Sequence, residues 1–183
     1  MRRLIYGFGV SLDGYINDRD GSIDWSDPDD ELHQHHNDRF RELELVLNGR
    51  RLFELMAEYW PHVPGDAPPV EREFGQLWTA VPKVVFSRTL TEVAWNSTLV
   101  TGNAVEEVRR LKAEGDGLAE IGGADLAAAV IPHGLIDEYH VYISPVVLGG
   151  GTPMFPALAE RIRLRPIESK RFASAQLLRF RAK

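Results

Sequence analysis

The stretch Leu45-Val46-Leu47-Asn48-Gly49-Arg50-Arg51-Leu52-Phe53-Glu54 decides the fold. Its first three residues form an apolar run that predicts a short buried strand. The residues from Arg51 to Tyr59 predict a helix, so Gly49 falls at a strand-to-helix turn. A second string, Ile121-Gly122-Gly123-Ala124-Asp125-Leu126, repeats the arrangement. It follows the strand-like run Leu118–Ile121 and opens the nearly all-apolar segment Ala124–Ile131, read as a buried helix. Glycine at such a turn lets backbone N–H groups converge on an anion, and the helix dipole favours negative charge there. The first string adds Arg50 and Arg51, whose planar forked donors suit phosphate. Each string alone is a weak signal, since paired glycines after a strand are more often a tight turn and Gly-Arg-Arg at a helix start more often a solvated cap. Together they suggest a ligand with several phosphates, held at two helix starts of one α/β sheet.

The chain has 183 residues, which favours a single domain over 1–183. A chain of this size buries about 70% of its unfolded surface and needs no covalent staples. Hydrophobic residues make up 44% and charged residues 26%, as expected for a soluble globular protein. A net charge of −6 argues against nucleic acid as the main partner. The absence of cysteine excludes disulfides, Cys-ligated zinc and a thiol nucleophile. Met1-Arg2-Arg3-Leu4-Ile5 runs straight into a strand-like segment, so no signal peptide is read, and no apolar run reaches the length of a membrane span. The expected location is the cytoplasm, with no membrane partner.

The rest of the chain alternates strand and helix signals. Leu4–Val10 is almost wholly apolar or glycine, as in a central strand buried on both faces. Asn17–Asp30 is acidic and turn-rich, a surface loop by composition. Asp27-Pro28 predicts an N-cap and first helical position, followed by the stripe Leu32, His36, Phe40 and Leu43. Pro61–Pro69 predicts a loop, and Val70, Phe74, Leu77 and Trp78 a short helix. Strands are expected at Lys83–Ser87 and Thr98–Val100. Asn103 with Glu106 resembles a capping box, ahead of the helix carrying Val105, Val108 and Leu111. Leu135–Ser144 predicts a long strand, and Gly149-Gly150-Gly151 a turn. Arg163–Ile167 and Ala175–Arg181 predict closing strands with no helix between them, hence antiparallel. The pattern is an α/β fold: a mixed, mostly parallel central sheet with antiparallel C-terminal strands, flanked by helices.

Taken in this order, the strings resemble the dihydrofolate reductase fold. More closely they resemble the reductase family typified by the C-terminal domain of the bifunctional riboflavin-biosynthesis enzyme. The matching segments are Ser11-Leu12-Asp13-Gly14-Tyr15-Ile16, Leu47–Arg51, Phe86-Ser87-Arg88-Thr89, Ile121–Leu126, and Leu135-Ile136-Asp137-Glu138 with Ser144–Gly151. The resemblance implies NADPH as cofactor, a small heterocyclic substrate and a homodimer. It places Arg50, with Arg51 beside it, on the cofactor's 2′-phosphate, in a turn completed by Asn48, Gly49 and Leu52. It places Ser87, Arg88 and Thr89 at the adenosine end. Gly122 and Gly123 face the pyrophosphate, within the turn from Ile121 through Ala124 and Asp125 to Leu126. Leu52 stands where the family often has threonine, and the Leu-Pro-Trp stretch of true dihydrofolate reductases is absent. The zinc deaminase half of the bifunctional enzyme needs cysteines, so the chain corresponds at most to the reductase half.

In this fold the substrate lies between the first-strand loop and the first helix. The acids there include Asp30 and Glu31, read as candidate proton sources, with an ordered water as the alternative. Acids in a first helical turn also complement the dipole without any catalytic part. Asp13 and Trp25 are candidate substrate contacts, as a ligand-facing carboxylate and a stacking ring; a turn residue and a core-packing ring are the plainer readings. His33 and His36 have a spacing that suits zinc, but no third ligand is evident, and no metal is expected. His140 and Tyr142 share one strand face, either at a subunit interface or in solvent. The expected function is an NADPH-dependent reductase resembling 5-amino-6-(5-phosphoribosylamino)uracil reductase. The alternatives are a reductase of another small heterocycle, folate included, or a non-catalytic NADP-binding module.

Overall fold

A computed structural model describes residues 1–183. The chain opens with β1 (Arg3–Val10) and a short β2 (Tyr15–Asn17), then α1 (Asp30–Arg41). Next come β3 (Leu43–Gly49), α2 (Arg50–Tyr59), α3 (Pro69–Ala80), β4 (Lys83–Phe86) and β5 (Ser97–Val100). They are followed by α4 (Ala104–Ala113), β6 (Leu118–Gly122), α5 (Ala124–Val130), β7 (Glu138–Ile143), β8 (Thr152–Pro153), β9 (Leu164–Arg171) and β10 (Gln176–Ala182). Eight strands form one sheet in the order β5-β4-β3-β6-β1-β7-β10-β9, and β2 pairs with β8 apart from it. The first six are mutually parallel, while β10 runs antiparallel to both β7 and β9. This is the predicted mixed sheet. The chain steps outward from β1 to β5, and β6 then returns between β3 and β1, which sets the carboxyl ends of β3 and β6 side by side.

The helices sandwich the sheet. Val108 of α4 and Leu126, Ala127 and Val130 of α5 pack on the face carrying Leu4, Tyr6, Leu47, Ile121 and Tyr139. On the other face, Phe53 of α2 and Phe74 and Trp78 of α3 close over Val85, and Leu32 of α1 packs with Tyr142 and Leu177. Leu4, Ile5 and Tyr6 are all at most 3% exposed, which bears out a strand buried on both faces. No helix is long and apolar enough to cross a membrane.

Several boundaries differ from the sequence expectation, each for a local reason. The cap of α1 is Asp29, two residues beyond Asp27. Its carboxylate accepts from the Leu32 N–H at 2.9 Å and from both the N–H and the hydroxyl of Ser174 at 2.7 Å. That contact with the β9–β10 turn, invisible to a local pattern, selects the later start. Leu43 opens β3 instead of extending the helical stripe. The proline-rich loop ends in α3, which Pro69 begins and which runs 12 residues. The strand expected from Leu135 begins at Glu138; just ahead of it the Leu4 N–H of β1 donates to the Asp137 carboxylate at 2.7 Å instead of to a backbone carbonyl. His140 and Tyr142 belong to neither a solvated nor an interfacial face: they are 1% and 3% exposed.

Glu138 explains much of that buried polarity. It is 2% exposed and faces Arg181 directly across the ladder. Arg181 donates to it at 2.7 Å and Arg179 at 3.2 Å, and Arg3 and His140 stand at 3.4 and 3.3 Å. Burial alone would raise its pKa; the bonds from Arg181, His140 and Arg179 outweigh burial and hold it down at about 2. A depressed carboxyl contributes stability that is present above its ordinary value of 4.5 and lost as pH falls toward about 2. Glu138→Gln is therefore expected to cost about 1.5–3 kcal/mol at neutral pH, the range of a hydrogen bond to a charged group. It should also flatten the acid-unfolding profile across that window. A denaturant series from neutral to acid pH reads both effects, and an unchanged profile would contradict the assignment.

Candidate functional site

Both glycine strings meet at one edge of the sheet. Asn48 pairs with Gly122 and Gly49 with Phe86, so the ends of β4, β3 and β6 stand in a row. Gly123 has a φ of +101°, and a Cβ there would lie 3.3 Å from the Gly49 nitrogen. Only glycine fits that backbone and that approach. The helix starts are open as well. α1 and α4 carry side-chain caps from Asp29 and Asn103, whereas α2 and α5 begin at Gly49 and Gly123 with none. Their first-turn N–H groups are left without a side-chain partner.

At α2 the charges oppose the helix dipole, while α5 carries Asp125 in its first turn. The first turn of α2 holds no acid and begins with Arg50 and Arg51, although cations are disfavoured at a helix N-terminus. Arg50 pairs with Glu54 at 2.8 Å, and Arg51 reaches Asp125 of α5 at 3.5 Å. Both pairs are solvent-exposed and weakly held, so the guanidinium groups remain free to exchange partners. Arg88 and Thr89 are exposed beside them. Ser87 is buried, and its hydroxyl accepts from the N–H groups of Thr89 and Leu90 at 3.1 and 3.0 Å. It shapes that turn, and it lies 3.3 Å from the Thr89 hydroxyl, a contact in which either group can donate.

Alongside these turns, on the face of α1 to α3, lies a cavity of about 350 Å³. Its walls are apolar and aromatic: Leu52 and Met56 of α2, Phe40 of α1, Phe74 and Trp78 of α3, and Trp60. Its floor is a charged pair. Arg39 donates to Glu120 at 2.6 Å and to the Tyr142 hydroxyl at 2.9 Å. Burial works against the Arg39 charge, but Glu120 and Tyr142 outweigh it and raise its pKa. Three further polar groups line the cavity: the Asn48 amide and the His33 and His36 rings. None has a hydrogen-bond partner in the protein, and none is sealed off, so each opens into the cavity. Burial, with repulsion from Arg39, His35 and His33, pushes His36 down to about 3; burial likewise lowers His33. Both rings are neutral at physiological pH.

The acids and the tryptophan picked out from sequence fall elsewhere. Asp30 and Glu31 lie outside the cavity, both exposed, and Glu31 faces Lys170 at 3.2 Å. Glu31 is engaged at β9, and Asp30 lies within electrostatic reach of His33, which lines the cavity. Asp13 clasps the neighbouring loop, accepting from the N–H groups of Leu148 and Gly149 at 3.1 and 2.8 Å. Trp25 donates its indole N–H to the Ser22 carbonyl at 3.2 Å and does not line the cavity. The carboxylate that does is Glu120. A charge at the centre of Leu118-Ala119-Glu120-Ile121, an otherwise apolar strand, was the available signal. Arg39, one helical turn after His36, was the matching one. No group of three His, Asp or Glu side chains is arranged as a metal site.

Fold and site together define a dihydrofolate-reductase-like α/β protein. The chain belongs to the RibD C-terminal domain family, whose pattern matches residues 2–178. It is 36% identical over 176 residues to the uncharacterized protein YyaP of Bacillus subtilis (strain 168), covering 94% of this chain and 90% of that one. It is 30% identical over 180 residues to the uncharacterized protein YwjB of the same organism, covering 98% and 97%. Among solved structures, a Shewanella sp. PV-4 protein assigned to riboflavin biosynthesis superposes with a TM-score of 0.79 at 24% identity, covering 99% of each chain. The deaminase/5-amino-6-(5-phosphoribosylamino)uracil reductase of Thermotoga maritima gives 0.68 at 15% identity, covering all of this chain and 57% of that one. Dihydrofolate reductase from Enterococcus faecalis, complexed with NADP(H), gives 0.61 at 15% identity, covering 98% and 96%.

Proposed function

We propose that this protein is an NADPH-dependent reductase acting on a carbonyl or imine carbon of a small heterocyclic compound, the reaction class of the riboflavin-pathway reductases. The observation that carries the reading is the pair Arg50 and Arg51 on an uncapped helix start, beside the paired glycine turn of Gly122 and Gly123. These residues suit a phosphate-rich cofactor. Arg50 and Arg51 would hold the 2′-phosphate, Ser87, Arg88 and Thr89 the adenosine end, and the backbone from Ile121 to Leu126 the pyrophosphate. The bound cofactor would supply the hydride. The protein's part is to exclude water with the aromatic walls and to deliver a proton. Tyr142 is the hydroxyl of the cavity; burial keeps its proton on, and His35 lies 3.2 Å from its oxygen as a route onward. In this reading the proton arrives there instead of from Asp30 or Glu31. The family resemblance adds a homodimer in the cytoplasm.

NADPH consumption in the presence of 5-amino-6-(5-phosphoribosylamino)uracil, of dihydrofolate and of other pterin or quinone acceptors tests the proposal. Oxidation that depends on one of them supports it. Firm NADPH binding with no turnover across the series would favour a cofactor-binding module instead.

A further inference from the structure

We propose that the C-terminal hairpin carries an anion site of its own, at the opposite end of the strands from the glycine turns, and that it takes a chain of phosphate groups. The charge is unevenly spread along the sequence. Residues 161–183 hold eight of the 21 lysines and arginines and only one of the 27 acids. A net charge of −6 thus covers a strongly basic end. The β9–β10 pairing gathers it. Arg165 stands directly opposite Arg181, and Arg181 directly opposite Glu138, so the three form one row across β9, β10 and β7. Arg3 of β1 reaches the same carboxylate at 3.4 Å. Just beyond that row the Lys183 N–H donates to the Arg163 carbonyl at 3.1 Å, which brings a second pair of cationic residues together.

Like charges directly opposite each other on paired strands are destabilising. The adjacent row shows how the fold meets that cost. There Arg179 faces Glu168 and bonds it at 2.5 Å, and its other nitrogens meet Glu138 and His140. The Arg165 row has no such partner. Its one carboxylate, Glu138, is 2% exposed and already engaged by Arg179 and Arg181. Arg163, Arg165 and Lys183 are exposed, and the ion pairs of this end all belong to Arg3, Arg179 and Arg181. Guanidinium forks match phosphate oxygens. One exposed ion pair is worth little, so the site favours an anion with several charges. The two cationic pairs lie two residues apart along the strands, about 7 Å, and a chain of phosphates engages both at once. The site is separate from the cofactor turns. Gly49 and Gly122 end their strands, whereas Arg3 and Glu138 open theirs, and all four strands are parallel.

Sodium tripolyphosphate is the probe, titrated by calorimetry at fixed ionic strength and compared with orthophosphate. Arg165→Gln removes a side chain that has no bond to lose. Without anion it is expected to raise the melting temperature by about 1–3 °C, because it relieves Arg181. Tripolyphosphate is expected to bind at least tenfold more tightly than orthophosphate, and Arg165→Gln to weaken it at least fivefold. Arg50→Ala should leave that Arg165-dependent binding in place. No tripolyphosphate binding at millimolar concentration overturns the proposal. So does binding that Arg165→Gln leaves unchanged, or a melting temperature that this substitution lowers. A short glutamate peptide of matched charge that binds equally well overturns the phosphate assignment. NADPH is titrated separately: its failure to bind removes the cofactor reading and leaves this site standing, and loss of the Arg165-dependent binding removes this site alone.

Discussion

Arg39→Ala is expected to lower the stability of the fold by about 3–5 kcal/mol, the cost of removing one partner of a buried ion pair. The Arg39 side chain is 15% exposed and that of Glu120 22%. They meet on the floor of an apolar cavity, so water cannot fully replace the lost partner. The variant leaves the Glu120 carboxylate beside neutral histidines, and it takes from Tyr142 one of its two polar contacts. The double change Arg39→Met with Glu120→Leu removes both charges and should recover most of the loss, since apolar replacement of a whole buried pair is often close to neutral. Urea unfolding of the three proteins measures this. A loss below about 1 kcal/mol for Arg39→Ala, typical of a surface pair, would contradict the buried-pair description.

Arg50→Ala is expected to weaken NADPH binding by about 1–3 kcal/mol, the loss of a charged hydrogen-bonding partner, and to leave NADH binding almost untouched. The two cofactors differ only in the 2′-phosphate, so the ratio of their affinities isolates that contact. Stability should barely change, because the pair Arg50 gives up, with Glu54, is exposed and worth little. Equal losses for both cofactors would remove Arg50 from the 2′-phosphate.

The sheet and the meeting of the two glycine turns were legible because their signals are local. A strand, a glycine and a helix start occupy consecutive positions in Leu47–Arg51 and again in Ile121–Leu126, and the β3–β6 pairing sets the two together. The closing antiparallel strands were legible for the same reason: two strand patterns with no helix between them. The interior of the cavity was not. Arg39, Glu120 and Tyr142 come from a helix and two strands, and only the packing of α1 across β6 and β7 makes them one group. Asp29 shows the same limit at smaller scale. Its cap position follows from a bond to Ser174, far away in the chain, whereas the local Asp27-Pro28 pattern pointed two residues early. Asp30 and Glu31 sit in the helix that sequence pointed to, and neither side chain is among those lining the cavity.

The most direct test of the central claim is a calorimetric titration of the purified protein with NADPH and with NADH. The account predicts micromolar binding of NADPH and much weaker binding of NADH. No binding of either, or equal binding of both, would mean that Arg50 and Arg51 do not recognise a 2′-phosphate and that the paired glycine strings serve only as turns.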